Sequence, residues 1–229
     1  MSRSNPTPTN PSTRFIKWSG STGDLVYWDK ELEEEIKVNL PHEFMVLDQL
    51  ATITGFSEAD KSQYWSNEVR SIAKDEFHVK TSNGTKDTGL YKDLADVRSK
   101  GAKYAKSIYI AYKDSGEWKI GNFKAYGACL TSWIEFGKGK NLASGKIVLT
   151  GSEKATKGAT TYYIPTFEQA NADTDEDEIA ISLDKELQKY LDESLSKGLF
   201  SRGNDETPEY TDDEAPVDND ELDLSQIPF

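Results

Sequence analysis

The sequence predicts a mainly β domain that carries a disordered acidic tail. Three observations indicate this fold class. Aromatic and β-branched residues concentrate in short alternating runs between residues 13 and 170. Turn residues such as Asp114-Ser115-Gly116 separate those runs. Charge divides the chain, because residues 1–170 hold 23 basic and 21 acidic residues, a net of +2, whereas residues 171–229 hold 4 basic and 19 acidic residues, a net of −15.

The composition limits the classes of protein to which this chain of 229 residues, with a net charge of −13, can belong. No run approaches 18 apolar residues, so no membrane span is expected. Residues 1–12 lack the apolar segment of a secretory signal. The single Cys129 excludes an internal disulfide, and two histidines make a zinc site implausible. We therefore expect a soluble protein of the cytoplasm with no cofactor, no metal and no membrane partner.

Strands account for most of the predicted elements of the body. Alternation of apolar and polar residues predicts strands at 36–40 and 77–80, and a long β-rich run covers 43–56. The clearest strand is 103–113, which is dense in Tyr and Ile. Further strands are expected at 118–120, 146–150 and 160–167, the last two as a closing hairpin with a Lys-rich loop over 151–158.

Three helices are expected beside these strands. Apolar residues at helical spacing predict them over 87–101, over 123–137 and around Leu183–Leu195, the last after an acidic linker at 171–178. Five or more strands with an inserted helix fit a small Greek-key barrel of the oligonucleotide-binding (OB) type, with a β-sandwich as the alternative. The predicted organisation is a disordered arm, an OB-like domain, an acidic linker with a short helix, and a disordered acidic tail: residues 1–12, 13–170, 171–202 and 203–229.

The strand at 103–113 carries the prediction of a binding site. Its odd-numbered face places Tyr109 between Lys103 and Lys113 over small residues, whereas its even-numbered face is largely apolar. Single-stranded nucleic acid needs cations for its phosphates and flat rings for its unstacked bases. The alternative is that a helix covers the odd face, since alternation does not say which face is wet. The remaining candidates are the even-face residues Tyr104, Lys106 and Tyr112, aromatic–cation pairs elsewhere, and the loop lysines: Trp118 with Lys119, Trp28 with Lys30, Trp65 with Arg70, Lys154 and Lys157.

The tail ends in the apolar tripeptide Ile227-Pro228-Phe229 after the acids Asp220, Glu221 and Asp223. Phe229 combines a large ring with a free α-carboxylate, and Pro228 restricts the backbone before it. A partner could bury the ring in a pocket, hold the carboxylate with Arg or Lys, and attract the acids to a basic rim. The tail therefore predicts a protein-binding motif. A solubilising tail with a chance ending is the alternative.

The acidic tail ending in Ile-Pro-Phe resembles that of bacterial single-stranded DNA-binding proteins. Four body motifs resemble bacteriophage members of that class across about residues 13–170: Ser66-Asn67-Glu68, Gly101-Ala102-Lys103-Tyr104, Gly127-Ala128-Cys129-Leu130 and Tyr163-Ile164-Pro165-Thr166-Phe167. The resemblance implies sequence-independent binding of single-stranded DNA in phage replication, recombination or repair, in the host cytoplasm. It also implies a tail that recruits replication or recombination proteins and competes with DNA for the binding groove. The oligomeric state, monomer or dimer, stays open.

Other classes of function remain as alternatives to this non-catalytic role. A metal-dependent nuclease could use Asp24 or Asp29 with Glu35 and Lys37, although a Glu-x-Lys triplet is expected by chance in a chain with 40 acids. The acidic tail could make the chain an interaction protein that mimics DNA, but the body is moderately basic. Carbohydrate binding through exposed aromatics would leave the lysine surplus without a use.

Overall fold

The computed structural model describes residues 8–196 and shows a mainly β domain with one mixed sheet of eleven strands. The strands are β1 Arg14–Ser19, β2 Asp24–Asp29, β3 Glu34–Val38, β4 His42–Ser57, β5 Ser62–Trp65, β6 Phe77–Thr81, β7 Gly84–Gly89, β8 Ala102–Asp114, β9 Glu117–Tyr126, β10 Lys146–Lys157 and β11 Thr160–Ala170. The helices are α1 Ala95–Ser99, α2 Gly127–Gly137 and α3 Thr174–Ser196. A 3₁₀ turn covers Tyr91–Asp93.

The strand order is β3-β2-β1-β9-β8-β4-β5-β6-β7, and β10 joins β4 and carries β11. The pair β1–β9 is parallel, and the other strand pairs are antiparallel. The long strand β4 divides the sheet, because Phe44 pairs with Ile147 of β10 whereas Thr54 pairs with Trp65 of β5. Between these two partners, β4 forms a bridge from Ala51 to Val69 and borders a groove.

The sheet curls around one apolar core. The indole Nε1 of Trp18 donates to the carbonyl oxygen of Tyr163 at 2.9 Å, and the backbone N–H of Tyr163 donates to the carbonyl of Gly20 at 2.8 Å. These bonds join β11 to the β1–β2 turn, although β11 pairs only with β10 in the sheet. Large buried rings fill the core, among them Phe44, Phe77, Tyr104, Tyr112, Phe123 and Trp133.

A second, smaller core lies on the outer face of the sheet, beneath α3. Leu187 and Leu191 of this helix pack on Leu50, Tyr109 and Ile120 of β4, β8 and β9. Fully burying such a leucine stabilises the fold by roughly 1.5–3 kcal/mol relative to leaving it exposed. The middle of β8 is therefore covered on both faces, by the main core on one side and by α3 on the other.

The predicted strands are confirmed, with boundaries that differ by a few residues. One predicted helix is confirmed in its second part only, as the 3₁₀ turn and α1, and one predicted loop is wrong. The predicted helix at 87–101 begins inside β7, because Asp87 pairs with Val79 in a hairpin. The predicted loop at 151–158 is instead paired strand, since β10 and β11 stay in register out to Lys157 and Thr160. The Lys-rich segment is therefore the far end of a long hairpin.

Two predicted helices exist with shifted starts. Phe123 and Tyr126 belong to β9, and α2 begins at Gly127, which adopts a positive φ of 55° that suits glycine. The acidic stretch predicted as a linker forms the first turns of α3, which begins at Thr174. Acidic side chains favour a helix N-terminus because they face the positive end of the helix dipole.

The structure describes the predicted N-terminal arm from residue 8 onward. Part of the predicted arm contacts the body, because the amide of Asn10 lies 3.5 Å from the hydroxyl of Tyr109. The predicted tail and its motif at Ile227-Pro228-Phe229 lie outside the described residues. Among residues 8–196, no helix combines the length and the apolar character that a membrane crossing requires.

Candidate nucleic-acid interface

The centre of the odd-numbered face of β8 is not available to a ligand. Tyr109 is 0% exposed beneath α3, and its hydroxyl donates to Oε2 of Glu68 at 2.8 Å. The prediction that Tyr109 stacks on a base is wrong in this structure. The physical reason is that the helix predicted near Leu187 packs its apolar side on this face, which the strand's own alternation could not show.

The even-numbered face of β8 points into the main core. Tyr104 and Tyr112 are buried there, so the prediction that these two rings contact DNA is also wrong. Burial raises the pKa of both phenols, most strongly for Tyr104, because the charged phenolate would lose its hydration. Lys106 shares this face and lines a groove beside β4.

The end of β8 at Lys103 forms a surface that joins two of the predicted residues. Lys103 pairs with Thr54, Thr54 with Trp65, and Trp65 with Lys80, across β8, β4, β5 and β6. Residues opposite one another in a sheet project from the same face. Three strand spacings separate Lys103 from Lys80, which is about 14 Å. We call Lys103, Trp65 and Lys80 the outer row.

The outer row lies on the face of the sheet that points away from the main core. Tyr64 and Val79, the neighbours of Trp65 and Lys80 in their strands, are buried in that core, so the row residues point outward. All three side chains of the row are partly exposed. The row thus presents one indole ring between two ammonium groups.

Two more partly exposed side chains extend this surface along the strands. Phe56 lies two residues beyond Thr54 on β4, and Lys124 of β9 pairs with Ser107, which shares the odd-numbered face with Lys103. We call the outer row together with Phe56 and Lys124 the outer patch. It combines three lysines with two rings, which is the combination that unpaired nucleic acid requires.

Comparison of the chain with protein-family models, with curated proteins and with solved structures found no match.

The other end of β8 holds a second group of predicted residues, whose ammonium groups contact an aromatic ring and carboxylates. Lys113 Nζ lies 4.8 Å from the centre of the Trp118 ring and 3.7 Å from Oε1 of Glu176. Lys119 donates to Oδ2 of Asp114 at 2.9 Å. This end of the strand is about 33 Å from Lys103, at about 3.3 Å per residue. It therefore does not belong to the outer patch.

The remaining predicted residues lie apart from one another. Arg70 binds Oδ2 of Asp48 at 3.0 Å and Oε1 of Gln188 at 3.0 Å, and so ties α3 to β4. Trp28 and Lys30 lie on and just beyond β2, three strands from β8 in the sheet. The two loop lysines are exposed on the long hairpin: Lys154 and Lys157.

The residues proposed for a nuclease form ion pairs across strands. Lys37 Nζ lies 2.6 Å from Oδ2 of Asp24, and Lys17 Nζ lies 2.9 Å from Oε2 of Glu35. The Lys37 ammonium lowers the pKa of Asp24 by hydrogen bonding to its carboxylate. Within the part of the chain that the structure describes, no group of three or more His, Cys, Asp or Glu side chains could hold a metal ion.

Sequence reasoning missed Lys80, Phe56 and Lys124 and did not join Lys103 to Trp65. Alternation along β6 does place Lys80 opposite the buried Phe77 and Val79, so its outward direction could be inferred. Its position beside Trp65 depends on strand pairing between separate parts of the chain, which leaves no local signal.

Proposed function

We propose that this protein binds single-stranded DNA without sequence preference, on the outer patch, and serves DNA replication, recombination or repair of a bacteriophage. The observation that carries the proposal is the outer row, in which Trp65 lies between Lys80 on the adjacent strand and Lys103 two strands away. Ammonium groups neutralise phosphates, and the ring offers a face on which a base can stack.

The chemistry of the patch favours unpaired strands over duplexes. In a duplex the faces of the bases are covered by stacking, so an indole ring on a sheet surface gains little from them. Every base has a π face, and lysine contacts to phosphate carry no sequence information, so binding by rings and lysines tolerates any sequence. The proposed role is therefore coating and protection of single strands, without catalysis.

The curled sheet supports an OB-type barrel as the scaffold for this role. The bonds between β11 and the β1–β2 turn join these two parts of the sheet, although β11 pairs only with β10. OB barrels bind oligonucleotides on the outer surface of their strands and on adjoining loops. The outer patch has the corresponding position, since it faces away from the main core.

The acidic segment 203–229 is proposed to regulate access to the patch and to recruit replication or recombination proteins through Asp220, Glu221, Asp223 and the final Ile227-Pro228-Phe229. This segment holds ten acids and no basic residue, a net charge of −10. Residues 92–157 hold 13 basic and 6 acidic residues, a net of +7, and include Lys103 and Lys124 of the patch. Opposite charges of this size attract at low salt, so the segment would compete with DNA.

The proposed function is tested by titrating the full chain into a fluorescently labelled oligo-dT while anisotropy and tryptophan emission are recorded. We expect binding that weakens steeply with salt, because phosphate contacts release counterions, and a partial quench of emission. The quench is partial because Trp18 and Trp133 are buried, and Trp65 is the one tryptophan that belongs to the outer patch. A duplex of the same length is the control.

Two outcomes of this titration would contradict the proposal. One is the absence of any anisotropy change in dilute buffer, both for the full chain and after removal of residues 203–229. The other is equal affinity for the duplex. Incubation of the same oligonucleotide with Mg²⁺ tests the nuclease alternative, for which shortened products would be the evidence.

Deleting residues 203–229 is expected to raise the affinity for oligo-dT. The gain should be largest near 10 mM salt, where the Debye length is about 30 Å, and should shrink as added salt screens the charges. A matched control keeps the length and replaces the ten acids by Asn and Gln. Affinity of the deletion variant equal to that of the full chain across a salt titration would contradict the competition.

A further inference from the structure

A second concave region lies beside β4, on the other side of the sheet from the outer row. The volume of this groove is about 800 Å³. Its walls are the edge of β4 from Val46 to Ala51, the segment 70–74, and the loop 137–143 that follows α2.

Lys106 lines this groove and is the feature that points to a ligand. Its side chain is 6% exposed, and it pairs across the sheet with Ala51, which offers it no polar atom. Among residues 8–196, Lys106 has no hydrogen bond and no ion pair. A largely buried ammonium without a partner is costly, because it loses part of its hydration and gains no interaction in return. An anion that entered the groove would remove that cost.

The other charged groups around Lys106 do not neutralise it. Asp48 is the only carboxylate among the residues that line the groove, and it already accepts hydrogen bonds from Arg70 and Gln188 at 3.0 and 2.9 Å. Lys74 is exposed at the rim, and Lys140 lies 3.7 Å from the centre of the Phe136 ring. The groove therefore has a surplus of positive charge.

We propose that this groove binds a phosphate group of a nucleotide or of a nucleic acid, with Lys106 as the contact on its floor and Lys74 and Lys140 at its rim. A phosphate group carries several acceptor oxygens and up to two negative charges. A phosphate ligand therefore matches three ammonium groups better than a ligand with a single carboxylate would. Because Lys106 and the outer patch are on opposite faces of the sheet, the site does not depend on the function proposed above.

The site should be sensitive to pH. Burial lowers the pKa of Lys106 to about 8, so its ammonium is present at pH 7 and is lost as the pH rises past that value. A bound anion would raise this pKa and move the loss to higher pH. The charged or titratable groups that face the groove with Lys106 are Asp48, Arg70, Lys74, Tyr104 and Lys140. Phosphate itself stays charged in this range, so weaker binding would report the lysine.

The test uses inorganic phosphate as the probe and the full chain as the protein. Thermal unfolding is followed at pH 7 in increasing phosphate, against chloride at equal ionic strength. We expect phosphate to raise the Tm of the wild type and of the control Lys92→Met, which changes an exposed lysine outside the groove. We expect Lys106→Met to weaken the apparent affinity for phosphate at least tenfold, and pH 9.5 to weaken that of the wild type.

An equal response of Lys106→Met and the wild type, or no response of the wild type, would overturn the proposal. Repeating the titration with dTMP and with the dinucleotide d(TpT) distinguishes a terminal phosphate from a phosphodiester, and failure of both to bind would also overturn it. Oligo-dT binding by Lys106→Met separates the two proposals. If the protein binds oligo-dT but not phosphate, only the groove proposal fails. If it binds phosphate but not oligo-dT, only the proposed function fails.

Discussion

Replacing Trp65 by alanine is expected to lower the affinity for oligo-dT by about 5- to 100-fold at low salt. Stacking of a base on an aromatic side chain is worth roughly 1–3 kcal/mol, and every 1.4 kcal/mol is a factor of about ten in affinity. Trp65 is the one ring in the outer row, where Lys103 and Lys80 flank it. The measurement is the dissociation constant from anisotropy.

The matched control is Trp118→Ala. Trp118 is also a partly exposed tryptophan beside a lysine, but it lies at the opposite end of β8, next to Lys113. We expect its removal to change the affinity less than about twofold, and Trp65→Phe to retain most of the affinity because a phenyl ring still stacks. Equal losses for Trp65→Ala and Trp118→Ala would contradict the placement of the interface on the outer patch.

Replacing Lys106 by methionine is expected to stabilise the protein by about 3.5 kcal/mol at pH 7. Burial lowers the pKa of Lys106 from 10.5 to about 8, and each unit corresponds to about 1.4 kcal/mol. The neutral form is favoured in the folded state, so charging the lysine costs stability. Methionine has a similar shape and no charge. The measurement is the free energy of unfolding from urea denaturation without phosphate.

The pH dependence of this difference checks its cause. Above about pH 10.5 the lysine is neutral in both the folded and the unfolded state, so the electrostatic cost is absent. The cost grows as the pH falls from 10.5 to about 8, where the folded state also becomes protonated, and it is constant below. A stability difference that does not shrink between pH 8 and pH 10 would contradict desolvation of Lys106 as the cause.

A lysine that destabilises the fold is informative about function. Selection retains residues that cost stability when they serve binding or activity, because proteins need only enough stability to fold. Lys106 lines a groove with a surplus of positive charge, so its cost is consistent with a role in holding an anion. The two experiments on Lys106 are complementary. Urea denaturation measures how much the charge destabilises the fold, and the phosphate titration measures how much it contributes to binding.

The sequence determined the elements whose signals are local. Alternation along β8 and β6, and the apolar spacing of α3 around Leu187 and Leu191, are visible within short windows because side-chain direction follows the local backbone. The division of charge between the body and residues 203–229 is likewise a property of the sequence. Element boundaries were less well predicted where hairpin pairing extended a strand, as at 151–158.

Only the tertiary structure decided which faces are covered and which residues meet. Tyr109 is buried because α3, about 80 residues later in the chain, packs on it. Trp65 lies in one row with Lys103 and Lys80 because four strands, β8, β4, β5 and β6, pair in one register. Such contacts depend on how the whole apolar surface of the protein packs, and a short stretch of sequence does not contain that information. The residues of a candidate interface could therefore be named from the sequence, but their grouping could not.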